Sequence, residues 1–215
     1  MGRPSRNVDA ALLRAGRALY PSTGIRALSV RRVCERAGVN LAMFHYHFES
    51  KERFVAVLLA QMYEAMFERL TLAADGDVPL AALRRALLVL AHFARDHRAV
   101  LRRILLDALA GERVAIAFAR ANLPRHLRVV AGLVRAAQSA RTLRDVAPLQ
   151  ALALLGGAIG GPILLGTAVT ESGAVPPAVR LAFAREVLDD DALSERVDLV
   201  LATLAAPKAR KRTSR

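Results

Sequence analysis

The chain has 215 residues, of which 54% are hydrophobic and 24% are charged, and this composition excludes a disordered protein. Its formal net charge is +13, and all but three of its 32 basic residues are arginines. A net positive charge of this size suits binding to nucleic acid or to an anionic membrane surface. Cys34 is the only cysteine, so the chain forms no internal disulfide bond.

Apolar residues recur at helical spacing along nearly the whole chain, which predicts an all-α fold. One face of the first predicted helix is formed by four apolar residues, Val8, Leu12, Ala15 and Leu19. Pro21 is predicted to end this helix, because proline lacks the amide hydrogen that continues a helical ladder. Residues 22–27 are then predicted to form a turn.

Two short helices around a glycine are predicted next. Ser29 is the expected N-cap of the second helix, Gly38 its left-handed C-terminal residue, and Asn40 the N-cap of the third helix. Lys51 stands at the start of a long fourth helix. Two short helices joined by a tight turn place one helix in the major groove of DNA in many proteins. Residues 29–52 therefore predict a helix-turn-helix. We term its second helix, which is the third helix of the chain, the reading helix.

The reading helix has a buried and an exposed side when successive residues are rotated by about 100°. Its exposed side is predicted to carry Ala42, His45 and Tyr46, whereas two phenylalanines turn inward. Small Ala42 lets the backbone approach base edges, and Tyr46 or His45 can donate a hydrogen bond to a phosphate or a base. Either Leu41 or Ala42 can contact a thymine methyl group.

Residues that cap the helices, and basic residues near the reading helix, are further candidates for contacts with DNA. Amides at helix N-termini and basic side chains are common phosphate donors. Arg3 and Arg6 precede the first helix and are candidates for an arm in the minor groove. The full set of candidates is Arg3, Arg6, Ser29, Arg31, Asn40, Leu41, Ala42, His45, Tyr46, His47 and Lys51.

The remainder of the chain is predicted to form a larger helical domain. We expect a DNA-binding domain over residues 1–50, a regulatory and dimerisation domain over 51–206, and a basic, disordered tail over 207–215. Helices that are apolar around much of their circumference either fill one core or enclose an apolar cavity. Candidate cavity residues are His92, Phe93, His97, Phe118 and His126. No two histidines have the spacing of a helical metal site, so we expect no metal.

The segment from 147 to 170 carries no charged residue. Its length permits a membrane span, but Pro162, Gln150 and several glycines oppose one. Small residues also let helices of two subunits approach closely. We therefore predict that this helix forms a dimer interface with the final helix, through Val197, Leu199, Val200 and Leu204.

Residues 8–56 resemble the N-terminal domain of the tetracycline-repressor (TetR) family of bacterial regulators. The resemblance is carried by Ala10, Ala18, Leu19, Gly24, Ser29, Val30, Val33, Ala37, Gly38, Val39, Asn40, Tyr46, His47, Phe48, Ser50, Lys51, Glu52 and Phe54. It implies an all-helical homodimer with a C-terminal domain that binds a small inducer. It also implies that Tyr46, or His45 as second choice, contacts phosphate. Leu41 departs from the basic residue that the family often has there.

The sequence and the resemblance together predict a ligand-responsive bacterial transcriptional regulator. We expect a cytoplasmic repressor that binds a palindromic operator as a homodimer, with a largely apolar effector and no cofactor. The chain has no glycine-rich phosphate loop or nucleophile elbow, so we do not expect an enzyme. The alternatives are a membrane-anchored binding protein and an architectural DNA binder without sequence preference.

Overall fold

The computed structural model describes residues 6–207, with side chains from Val8 onward. The predicted all-α fold is confirmed, since all regular elements in this described part are helices. The helices are α1 (Arg6–Ala27), α2 (Val30–Ala37), α3 (Leu41–Phe48), α4 (Lys51–Ala74), α5 (Pro79–Asp96), α6 (Arg98–Leu109), α7 (Arg113–Ser139), α8 (Pro148–Leu155), α9 (Thr167–Glu171), α10 (Pro177–Phe183) and α11 (Asp190–Thr203).

Helix α1 does not end at Pro21 as predicted. The helix continues past the proline, and the break lies at Gly24, whose φ of 64° and ψ of −175° are not helical. The hydroxyl groups of Ser22 and Thr23 both donate to the carbonyl of Leu19, which adds local bonds where the proline removes an amide donor. Gly24 suits the break because positive φ carries little steric cost for glycine.

The described chain forms two compact units. The first unit comprises residues 6–67 and 97–124, and the second comprises 68–96 and 125–207. The contacts that define the first unit therefore extend beyond the helix-turn-helix and include α6 and the first part of α7. A functional boundary at residue 50 remains a prediction.

The first unit has an aromatic core beneath the helix-turn-helix. Phe44 and Phe48 of α3 are buried as predicted, and buried Phe54 of α4 packs against both of them. The ring centroids of Phe54 are 5.2 Å from Phe44 and 5.0 Å from Phe48, distances typical of favourable aromatic pairs. Gly16 of α1 permits this packing, because a Cβ there would collide with the ring of Phe54. This core fixes which side of α3 faces solvent.

The core of the second unit is formed by α5, α7, α8 and α11 together with the helical turns that follow α8. Three of the four final-helix residues that we predicted at a dimer interface, Val197, Val200 and Leu204, lie in this core. The prediction was wrong for them because their common face packs within the chain. Leu199 lies on the opposite face and is 60% exposed. Arg84 of α5 also binds Asp198 of α11, with Nε 2.6 Å from Oδ1.

The helix that contains the uncharged segment runs continuously over Pro148–Glu171 and ends at its one charged residue, Glu171; we term it the uncharged helix. It comprises α8, two π-helical segments (Gly156–Gly160 and Pro162–Gly166) and α9. By length and composition it could cross a membrane, yet such a helix also occurs in helical cores and interfaces. Only 22% of an apolar stretch of 18 residues within it is buried. Its large exposed apolar side chains are Leu149, Leu154, Leu165 and Val169.

Candidate nucleic-acid interface and apolar cavity

The turn between α2 and α3 has the capping that the sequence predicts. The Ser29 hydroxyl oxygen accepts the amide hydrogen of Arg32, and the Asn40 side-chain oxygen accepts that of Met43 at 2.9 Å. Gly38 has a φ of 67° and a ψ of 32°, the left-handed conformation expected after a helix. These local bonds fix two short helices around a tight turn, which is the geometry of a helix-turn-helix.

One side of α3 faces solvent and brings together most of the predicted reading residues. Tyr46 is 68% exposed and Leu41 is 45% exposed, and Ala42 and His45 are also exposed. Phe44 on the opposite side is fully buried. The exposed side therefore offers a small residue, an imidazole and a phenol on a helix held rigidly from behind. Such a surface can contact base edges and phosphates together.

His47 lies on the inner side of α3, and the structure does not place it with the exposed reading residues. Its Nδ1 pairs with the Asp9 carboxylate of α1, and its side chain is only 9% exposed. The position three residues after buried Phe44 explains this orientation, since such residues share one face of a helix. His47 thus helps to hold α3 against α1, and we leave it out of the proposed interface.

Lys51 has a partner within the protein. Its Nζ donates to the carbonyl oxygen of Arg26 at 3.2 Å and so joins the start of α4 to the end of α1. An ammonium group has three donors, so a phosphate contact remains available to it. Arg31 is exposed on α2, whereas Arg3 and the side chain of Arg6 lie outside the described residues.

An apolar cavity of about 190 Å³ lies in the second unit. It is lined by Leu87, Leu90, Ala91, Ala94, His126, Leu127, Val130, Leu152, Leu155, Gly156, Ile159 and Gly160. His126 contributes a polar group to a wall that is otherwise aliphatic or glycine. This composition fits a largely apolar ligand that one polar contact orients.

Four of the five predicted cavity residues lie elsewhere. The Nε2 atom of His92 is 3.5 Å from the Asp190 carboxylate, and Phe118 packs edge-on against Tyr63 in the first unit. His97 precedes α6, and Phe93 is not among the lining residues. Sequence periodicity identified apolar helices but could not show which faces enclose the space. In the described part of the chain, no group of three or more potential ligands is placed to hold a metal ion.

These elements define a helix-turn-helix protein, and comparison with known proteins identifies the family. Residues 12–58 match the family model described as bacterial regulatory proteins, tetR family. This match places the helix-turn-helix segment of the chain in the TetR family. Because members of this family are regulatory proteins, the expectation that the chain is not an enzyme is confirmed.

Individual relatives are distant. The HTH-type transcriptional regulator RutR of Escherichia coli is 27% identical over 113 residues, which cover 51% of this chain and 53% of RutR. The match thus spans about half the length of this curated relative. The ketosteroid transcriptional regulator KstR2 of Mycobacterium tuberculosis has a TM-score of 0.68 at 16% identity, over 96% of this chain and 98% of that one. A TetR-like regulator from Rhodococcus sp. RHA1 has a TM-score of 0.66 at 21% identity, over 93% and 97%. These two structures share the fold.

Proposed function

We propose that this chain is a cytoplasmic, ligand-responsive transcriptional repressor that binds a palindromic DNA operator as a homodimer. The observation that carries the proposal is the exposed side of α3, where Ala42, His45 and Tyr46 face solvent on a helix fixed by a buried aromatic core. The family match supports DNA binding by this segment. The formal charge of +13 favours association with a polyanion.

The contacts of the proposed complex follow from the chemistry of this side. Ala42 allows the backbone of α3 to approach base edges in the major groove, and Tyr46 donates its hydroxyl hydrogen to a phosphate. The N-termini of α2 and α3, capped by Ser29 and Asn40, present amides toward the phosphate backbone. Two copies related by a two-fold axis would read two half-sites about 34 Å apart, or a multiple of that distance.

We expect Tyr46→Phe to weaken binding to operator and random DNA alike, by roughly tenfold. The substitution removes one hydroxyl donor and keeps the ring, so a phosphate contact is lost while the helix is retained. Affinities measured by fluorescence anisotropy at matched salt test this role. The control is Tyr63→Phe, which removes a buried hydroxyl that donates to the Asn122 carbonyl in the same unit. Unchanged DNA affinity in Tyr46→Phe would show that the Tyr46 hydroxyl makes no phosphate contact.

The dimer is proposed on the uncharged helix. Leu165 and Val169 are 64% and 54% exposed, and Leu199 of the final helix is also exposed. A Cβ at Gly157 or Gly161 would meet no atom within 4 Å, so the helix backbone is accessible there. Exposed leucines beside accessible backbone suit close packing against a second copy of the same surface.

The effector is proposed to bind in the apolar cavity. Its volume of about 190 Å³ exceeds that of a buried cavity of about 150 Å³ that binds benzene in another protein. The expected effector is therefore a small apolar molecule, such as a single aromatic ring with a short substituent. Effector binding would favour an arrangement whose two reading helices no longer match the operator, so that affinity for DNA falls.

We expect Gly160→Leu to abolish binding of small aromatic probes while operator binding is retained. A Cβ at Gly160 meets no atom within 4 Å, and the added leucine would occupy the cavity that the glycine lines. Toluene, ethylbenzene and propylbenzene are suitable probes, with affinity in the wild type rising about fourfold per methylene until the cavity is full. Probe-induced thermal stabilisation measures this.

The control for the cavity is Gly132→Leu on α7. Gly132 is also a helical glycine with open space at its Cβ, but it does not line the cavity. Both variants exchange a glycine within a helical segment for leucine, so a difference in probe binding between them reports cavity filling. Equal probe binding by both variants would contradict the cavity assignment and leave the DNA-binding proposal intact.

A further inference from the structure

We propose that Asp107 is a positioning residue for DNA reading, whose buried carboxylate holds the turn between α1 and α2 in place. Asp107 lies on α6, 70 positions after the end of α2 at Ala37, and no pattern in the helix-turn-helix segment points to it. Its side chain belongs to the same compact unit as α1, α2 and α3. The proposal therefore adds a residue outside the helix-turn-helix to the DNA-reading machinery of the proposed function.

The carboxylate of Asp107 gathers donors from both sides of the break in α1. The residue is fully buried, and its Oδ2 accepts the Tyr20 hydroxyl hydrogen at 2.9 Å and the Ile25 amide hydrogen at 3.0 Å. Its Oδ1 accepts from Nε of Arg103 at 2.8 Å. Tyr20 precedes Gly24 and Ile25 follows it, so one carboxylate bridges the two segments of α1 that meet at the break.

Arg103 packs against the backbone of Gly24, where α1 breaks. A Cβ at Gly24 would collide with the guanidinium of Arg103, so the arginine lies directly on the bare glycine backbone. The ion pair with Asp107 fixes that guanidinium. Gly24 has a φ of 64°, a conformation that other residues adopt with strain. We infer that the contact with Arg103 fixes the direction of the chain after this break. That direction determines where Ser29 and α2 begin.

The protonation states of Asp107 and Tyr20 stay the same across the neutral pH range. Burial by itself would raise the pKa of Asp107, but the hydrogen bonds from Arg103, the Ile25 amide and Tyr20 outweigh it and hold the pKa below its ordinary value. Burial, and then the hydrogen bond to Asp107, raise the pKa of Tyr20. The stabilisation from Asp107 is therefore present above its unfolded pKa of about 3.9 and is lost as pH falls through the lower folded pKa. At neutral pH the carboxylate is charged and the tyrosine is protonated.

A displaced turn affects the two kinds of DNA contact differently. Contacts to base edges require an accurate orientation of α3, whereas phosphate contacts by flexible basic side chains tolerate small displacements. Loss of the Asp107 contacts should therefore lower operator affinity more than affinity for random DNA. A residue that only stabilised the fold would leave the ratio of the two affinities unchanged in the folded variant.

The test compares two tyrosine variants in the full-length protein. Tyr20→Phe removes the hydroxyl that donates to Asp107, and Tyr63→Phe removes a buried hydroxyl of the same unit that donates to Asn122. We expect Tyr20→Phe to lower the ratio of operator to random-DNA affinity by about fivefold, and Tyr63→Phe to leave it unchanged. Asp107→Asn should lower the ratio further, by about 20-fold, because the ion pair with Arg103 is also lost. All affinities are measured at one salt concentration and below the melting transition of each variant.

Either of two results with the variants overturns the proposal. An unchanged affinity ratio in folded Tyr20→Phe and Asp107→Asn would show that the cluster only stabilises the unit. An equal fall of the ratio in Tyr20→Phe and Tyr63→Phe would show that any loss of buried hydrogen bonding has the same effect. If Asp107→Asn does not fold, the two tyrosine variants decide the result. A wild type that has no operator preference overturns the proposed function and this inference with it, whereas a wild-type preference that is unchanged in Tyr20→Phe and Asp107→Asn overturns this inference alone.

Discussion

Ala42→Glu is expected to lower operator affinity by about 100-fold or more, while the protein remains folded. Ala42 lies on the exposed side of α3, where the proposed complex brings the backbone close to base edges and phosphates. A glutamate there places a negative charge in a strongly negative groove, and opposed like charges cost several kcal/mol. Glutamate is also a good helix former, so α3 should be retained. Gel-shift titration with the selected operator and circular dichroism measure the two quantities.

The matched control for this change is Ala60→Glu. Ala60 is an exposed residue on α4 of the same unit, so it undergoes the same chemical exchange on another surface. The control changes the net charge of the protein equally and should lower affinity only slightly. Similar losses in both variants would show that general repulsion, and not the position of α3 in the groove, accounts for the effect.

Leu165→Arg is expected to convert the proposed homodimer into monomers. Leu165 is 64% exposed on the uncharged helix, where the proposal places the interface. A two-fold interface would bury this arginine twice, and burying an unpaired charge costs about 3–5 kcal/mol. The dimer dissociation constant should therefore rise by about 1,000-fold or more. Sedimentation equilibrium distinguishes one chain of 23.2 kDa from two.

Leu72→Arg is the control for the dimer test. Leu72 is 77% exposed on α4 and lies outside the uncharged helix, so the same exchange should leave the dimer intact. Operator affinity should fall in Leu165→Arg only, since a monomer can occupy one half-site at a time. A Leu165→Arg protein that sediments as a dimer would place the interface on another surface.

The parts of the fold that the sequence predicts are those that local bonds determine. Ser29 and Asn40 form cap bonds to residues three positions away, and Gly38 takes a backbone conformation that few other residues tolerate. The inward side of α3 follows from the helical spacing of Phe44 and Phe48. Such features depend on neighbours within one or two turns, so a single sequence contains the information for them.

The parts that the sequence does not predict depend on distant contacts. Asp107 is separated from Tyr20 by 87 positions and from Ile25 by 82, and nothing local marks it as their common acceptor. The same holds for the cavity, where the predicted polar candidates were chosen by residue type and only His126 lines the space. His47 was assigned to DNA although its helical position, three residues after Phe44, indicates the core side.

The central claim is that α3 reads a specific DNA sequence, and a competition measurement tests it most directly. Genomic fragments selected by the purified protein are titrated against shuffled versions of the same fragments, between about 50 and 200 mM salt. The account predicts a preference of about 1,000-fold or more for the selected sequence, together with a marked decrease of both affinities as salt rises. Equal affinities for selected and shuffled fragments at every salt concentration would contradict it.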